Sequence, residues 1–182
     1  GMVHKTRGII LRTVKYGETS LIVTAYTELF GLQSYIVNSV RTASKKGASK
    51  AVYFQPAALL DMVVYKNEFN NLQRIKEYQW AHLYQHLLSD VRKNAVALFM
   101  VELLNKCLKE PEHNIDLFYF IEDAFQHLDV ASDKATANFP LFFALHLAVF
   151  FGFRITDEYT GEQHYLDLPE GVFITEPARM PH

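Results

Sequence analysis

Hydrophobic and polar positions alternate with a period of two over most of the first 80 residues, then switch to a helical period. Arg7–Lys15, Ser20–Thr27 and Leu32–Val40 read as three strands. In the second, Leu21, Val23 and Ala25 alternate with Ile22, Thr24 and Tyr26. In the third, Leu32, Ile36 and Val40 share one face, while Gln33, Tyr35, Ser39 and Arg41 share the other. Alternation among β-branched and aromatic residues predicts half-buried strands. Gly17 and Gly31 fall where the intervening turns need a permissive backbone. Ala57–Tyr65 predicts a fourth strand behind Pro56, residues 67–71 a turn, and Leu72–Tyr78 a fifth strand. Closely spaced short strands of this kind suit a small Greek-key barrel of the OB type, and an SH3-like barrel would give a similar pattern.

Beyond residue 80 the period lengthens. Ala81–Leu88 predicts a short bridging helix. Ser89 is the expected N-cap of a helix reaching about Glu110 and stopped by Pro111. Val96, Met100, Leu103 and Cys107 form one apolar stripe of it, and Ala97, Val101, Leu104 and Leu108 the next, so a wide face is buried. Further helices are predicted from Asn114 or Ile115 to Val130, and from Ala137 to Phe151 before Gly152. Tyr165–Ile174 reads as two short strands around Pro169-Glu170-Gly171. The expected organisation is a barrel domain over 1–80, a helical domain over 81–155, and a β-like tail over 156–182 that begins a further module. Gly1 ahead of Met2 reads as an expression remnant, and the tail, without a capping element, as shortened.

Composition supports a substantial core, since 49% of the residues are hydrophobic. The longest apolar run, Phe139–Phe153, contains Pro140 and His146 and is shorter than the roughly 18 residues of a membrane span. It is read as a core helix, and no membrane association is expected. The single cysteine, Cys107, excludes an internal disulfide and a four-cysteine zinc site, and suits a reducing, cytoplasmic compartment. Net charge is -2, but it is unevenly spread. Residues 1–80 carry 11 Lys+Arg and 5 Asp+Glu (+6), and residues 81–182 carry 7 and 15 (-8). A basic half beside an acidic one is a hint of nucleic-acid contact by the former, although two solvated surfaces would give the same numbers.

Catalytic chemistry is not encoded in any recognisable spacing. No Walker loop, G-x-S-x-G elbow or H-E-x-x-H helix occurs. His82 and His86 stand at i,i+4, but no third metal ligand lies near, so packed or surface histidines are the simpler reading. Glu122-Asp123 and Asp157-Glu158 are sequence neighbours whose side chains point apart. Cys107 and His146 sit on apolar helices and read as core residues. No enzyme activity, metal or cofactor is expected.

Polyanion binding remains. Arg7, Arg12 and Lys15 belong to the first strand; Arg41, Lys45, Lys46 and Lys50 to the loop after the third; Arg74 and Lys76 to the fifth. A cationic groove tracks phosphates and exposed aromatics stack bases. Tyr16, Tyr35 and Tyr53 could supply such stacking, or could pack in the core and at the barrel rim.

The opening stretch resembles the RecO family of bacterial recombination and repair proteins. The residues that carry the resemblance are Gly8-Ile-Ile-Leu-Arg12, Tyr16-Gly-Glu-Thr-Ser-Leu-Ile-Val23, Thr27-Glu-Leu-Phe-Gly31, the Arg41–Lys46 loop and Phe54-Gln-Pro-Ala-Ala-Leu-Leu60. Phe150-Phe-Gly-Phe153 and Tyr165–Phe173 extend it over nearly the whole chain. The resemblance implies an α+β protein, an N-terminal five-stranded OB-fold followed by a helical bundle. It also implies a non-enzymatic DNA-repair role: binding single- and double-stranded DNA, annealing strands and assisting RecA loading with RecR. The acidic C-terminal tail of single-stranded-DNA-binding protein would dock on the helical domain, where Arg92, Lys93, Lys106, Lys109 and Arg154 are the basic candidates. Many family members carry a four-cysteine zinc module, which this sequence lacks. The alternative is a non-enzymatic adaptor whose barrel binds a protein partner rather than DNA.

Overall fold

The computed structural model describes residues 2–40, 50–109, 111, 113–152, 154–156 and 163–165, the last two segments as backbone. Five strands form a closed barrel in the order β1-β2-β3-β5-β4: β1 (Met2–Tyr16), β2 (Ser20–Thr27), β3 (Gly31–Val37), β4 (Leu59–Lys66) and β5 (Leu72–Trp80). All pairs are antiparallel except β3–β5, which is parallel. This is the OB topology, so the choice that alternation left open falls to that fold.

Closure depends on β1 being long. Its first half pairs with β4 and its second half with β2. Between Ile10 and Arg12 the register with β2 shifts by a bulge. Ile10 enters the barrel interior, whereas Leu11 joins the cluster formed with the helices. Bulges bend a strand and break its alternation, and here one lets β1 serve two cores. Gly8 lies against the end of the Met62 side chain, so a Cβ there would have to displace the Met62 methyl. Gly17 and Gly31 carry positive φ in the turns where the sequence expects them.

A short 3-10 turn, Val52–Phe54, precedes β4 and drives Phe54 into the barrel interior. Three helices follow: α1 (Val91–Cys107), α2 (Ile115–Val130) and α3 (Asp133–Phe150). Their N-caps are Asp90, Asn114 and Ser132, each accepting the backbone N–H of the third helical residue. The capping residue of α1 is therefore Asp90 rather than Ser89, and α1 stops at Cys107 rather than near Glu110. α3 begins at Asp133, a turn earlier than the apolar pattern predicts, because Ser132 caps it. Phe118, Phe120, Phe125, Phe139 and Phe143 are wholly buried, and each such side chain contributes roughly 1.5–3 kcal/mol. The same cluster contains Ile9, Leu11, Tyr26, Ala57 and Leu59, so barrel and helices share apolar packing.

The predicted helix over 81–88 does not form. That segment is irregular, and buried Asp129 explains why. Its carboxylate accepts the backbone N–H groups of Gln85 (2.9 Å), His86 (2.7 Å) and Leu87 (2.7 Å). A carboxylate satisfied by three amides offsets its own desolvation and fixes the connector in a non-helical course. His82 and His86 are consequently not stacked on a helix turn. His146 is buried and stacks on Phe120 at 5.0 Å between centroids, as a core histidine. Burial pushes the Cys107 thiol above its ordinary pKa, as in a packed side chain. The strands beyond the helices are β6 (Arg154–Thr156) and β7 (Gln163–Tyr165), an antiparallel pair. The strands expected around Pro169-Glu170-Gly171 lie outside the described residues.

Candidate nucleic-acid interface

Register places the outward side chains of the barrel in rows. Val14 pairs with Ile22, Ile22 with Ile36, Ile36 with Arg74, and Arg74 with Tyr65. A neighbouring row runs Arg12–Thr24–Ser34–Leu72. Val14, Arg12, Leu72 and Arg74 are exposed, and Ile22, Ile36 and Tyr65 half-buried. The Arg74 guanidinium lies 4.9 Å from the Tyr65 ring centroid. The face is thus apolar along its middle with cations at its margins, on strands β1, β2, β3 and β5. Its ends are the β1–β2 turn with exposed Tyr16 and the β4–β5 turn with Phe69. This strand face and these two turns are the ones OB-folds use for oligonucleotides.

The chain on either side of the basic loop is tied to the β1–β2 region. Val40 donates its N–H to Thr19 O (3.0 Å), and Thr13 Oγ1 donates to Phe54 O (2.8 Å). Lys15 and Lys50 are described, exposed and half-buried respectively. Arg41, Lys45 and Lys46 lie outside the described residues. Lys76 is an exposed residue of the bulge between the Val63 and Val64 pairings. Among the described residues, Arg12, Lys15, Lys50, Arg74 and Lys76 form no ion pair.

Three sequence-based candidates are placed otherwise. Tyr35 has 0% exposure and sits in the barrel interior, where burial pushes its phenol well upward. It cannot stack on a base, because the inward face of β3 is the one carrying Gln33, Tyr35 and Val37. Tyr53 is half-buried and stacks on Trp80 at 4.5 Å. Arg7 is held by Glu122 of α2, its Nη1 donating to both carboxylate oxygens at 2.9 and 2.8 Å. Asp61 adds a contact at 3.6 Å. Arg7 therefore joins the barrel to the bundle rather than presenting its charge to a ligand.

The partner candidates also divide. Lys93 is buried and donates to Asp129 O (2.8 Å) and Ala131 O (2.7 Å), closing the C-terminal end of α2. Its charge is consumed there, as a cation at a helix C-terminus satisfies carbonyls left without intrahelical partners. Arg92 lies 3.9 Å from Asp133, and Lys106 4.0 Å from Glu102, both exposed. Lys109 is exposed, and of Arg154 only the backbone in β6 is described. Phe69 and Tyr65 are residues of this face that the strand pattern alone does not mark. The available signal was Asn67-Glu68-Phe69-Asn70, an aromatic inside a run of turn-forming residues.

Two family models cover most of the chain: Recombination protein O N terminal over residues 2–84 and Recombination protein O C terminal over residues 88–156. The chain belongs to the Recombination protein O (RecO) family. Curated relatives named DNA repair protein RecO agree. That of Phocaeicola vulgatus is 33% identical over 174 residues, covering 96% of this chain and 71% of the relative. That of Flavobacterium johnsoniae is 34% identical over 173 residues, covering 94% and 71%. That of Bacteroides fragilis is 36% identical over 176 residues, covering 96% and 71%. The function is accordingly one in DNA repair and recombination. Among the described residues no group of His, Cys, Asp and Glu could hold a metal, and no helix is long and apolar enough to cross a membrane.

Proposed function

We propose that this RecO-family chain is a non-enzymatic recombination mediator that binds single- and double-stranded DNA through its barrel. The observation that carries the reading is the outward face of β1, β2, β3 and β5. There Arg12, Arg74 and Lys76 carry charge that no carboxylate among the described residues neutralises. Lys15 and Lys50 add to that charge, and Arg41, Lys45 and Lys46 are further candidates by sequence alone. Neutralising phosphates releases counterions and supplies affinity, and the apolar middle of the face suits bases or sugars.

In this reading the barrel and the loop hold two complementary strands near one another, which promotes annealing. RecR is the expected partner, with RecA loaded indirectly. The acidic tail of single-stranded-DNA-binding protein docks on the helical part. There Leu98 and Phe99 of α1 and Leu141 of α3 leave apolar surface exposed, and Arg92, Lys106 and Lys109 supply positive charge. Arg154 remains a candidate by sequence alone. The test is strand annealing with and without single-stranded-DNA-binding protein on the strands. Faster annealing of coated strands supports the mediator role. Annealing of bare strands only would deny it, and no acceleration of either would favour the adaptor.

A further inference from the structure

Among the described hydrophobic side chains Phe69 is the most exposed, at 96%. A single exposed apolar residue means little in itself. The backbone that carries Phe69, however, is held in place. Asn67 Oδ1 accepts the Phe69 N–H at 3.1 Å, and Asn70 N–H donates to Asn67 O at 3.1 Å. Gln73, only 4% exposed, anchors the turn from below. Its Oε1 accepts Asn67 N–H (2.8 Å), and its Nε2 donates to Asn67 O (2.8 Å) and Asn70 O (2.5 Å). A buried amide with three bonds to one turn fixes that turn's shape. The ring therefore stands in water on a rigid support instead of folding back onto the barrel.

Its location gives the occupant. Leu72, three residues on, pairs with Ser34 in the row that crosses to Arg12, and Arg74 opens the next row. The aromatic tip thus adjoins a face with cations for phosphates. A rigid ring beside a phosphate track matches an unpaired nucleobase, whose π-face is free, and not a base already stacked within a duplex. The neighbouring Glu68 is exposed and repels phosphate, which keeps the backbone on the Arg74 side of the turn.

We propose that Phe69 is a base-stacking residue that gives single strands their advantage over duplex on this surface. The inference rests on the DNA-binding reading and adds to it the group that distinguishes the two forms. Gln73 is its positioning residue.

The test is anisotropy at low salt with three labelled ligands of equal length: a single strand, the same strand with abasic sites, and a duplex. Phe69→Ala should weaken single-strand binding roughly tenfold while duplex binding stays within about twofold. The preference for the intact over the abasic strand should vanish in Phe69→Ala and return in Phe69→Trp. Equal losses on single strand and duplex, or no loss on either, overturn the stacking role while leaving DNA binding in place. Absence of binding to any ligand by the parent chain overturns both readings.

Discussion

Replacing Arg7 with Met separates its structural role from a DNA contact. Arg7 reaches from β1 to Glu122 of α2, whose side chain is 11% exposed against 41% for Arg7. Removing the guanidinium leaves that carboxylate with neither its charge partner nor its two donated bonds. Breaking a fully buried pair costs about 3–5 kcal/mol. Arg7 is partly solvated and water can reach the vacated site, so the loss is discounted to about 2 kcal/mol. The Asp61 contact, at 3.6 Å between half-exposed groups, adds little. For a chain of this size the melting temperature should fall by roughly 4–8 °C. Arg7→Met/Glu122→Leu should recover most of that, since no partly buried carboxylate is then left without its partner. Thermal melts of the parent, both single variants and the double variant give the coupling, and oligonucleotide titration on each folded variant gives the function. DNA affinity should move by less than about twofold, the share of one phosphate contact being absent. An unchanged melt together with a collapse of DNA binding would refute this, and would return Arg7 to the phosphate-binding set.

Two further predictions concern the helical part. Lys93→Met should lower stability by about 2–3 kcal/mol, because two charge-assisted bonds to the end of α2 are lost. Chemical denaturation measures this, and Lys106→Met and Lys109→Met, on exposed side chains, should leave the midpoint in place. Asp90 is held below its ordinary pKa of 3.8, first by the backbone N–H of Lys93. A depressed folded-state pKa contributes stability that is present above 3.8 and is lost as pH falls through the lower folded value. Asp90→Asn keeps the cap without the titration, so its melting temperature should decline less steeply than the parent's below pH 4.

Much of the barrel was legible because strand periodicity and turn glycines are local. β2 falls on Ser20–Thr27 as its alternation predicts, and α2 runs from Ile115 to Val130 as its apolar pattern predicts. What alternation does not reveal is which face turns inward. On β3 both faces mix apolar and polar residues, and the barrel takes the one with Tyr35. The connector over 81–88 departs from its helical pattern because a residue far along the chain, Asp129, captures its amides. Lys93 and Arg7 look like surface charge in sequence, and only tertiary contacts with Ala131 and Glu122 reveal otherwise. Phe69 needed the turn geometry supplied by Gln73 to become distinctive.

The central claim is that the basic half of the chain holds DNA by its phosphates. Titration of a labelled single strand across a range of salt tests it most directly. For the parent, log affinity should fall linearly with log salt, with a slope near -0.7 for each phosphate engaged. A folded variant with Arg41, Lys45, Lys46 and Lys50 all changed to Glu should lose most of the affinity and show a shallower slope. Equal affinity and equal slope in parent and variant would contradict the account.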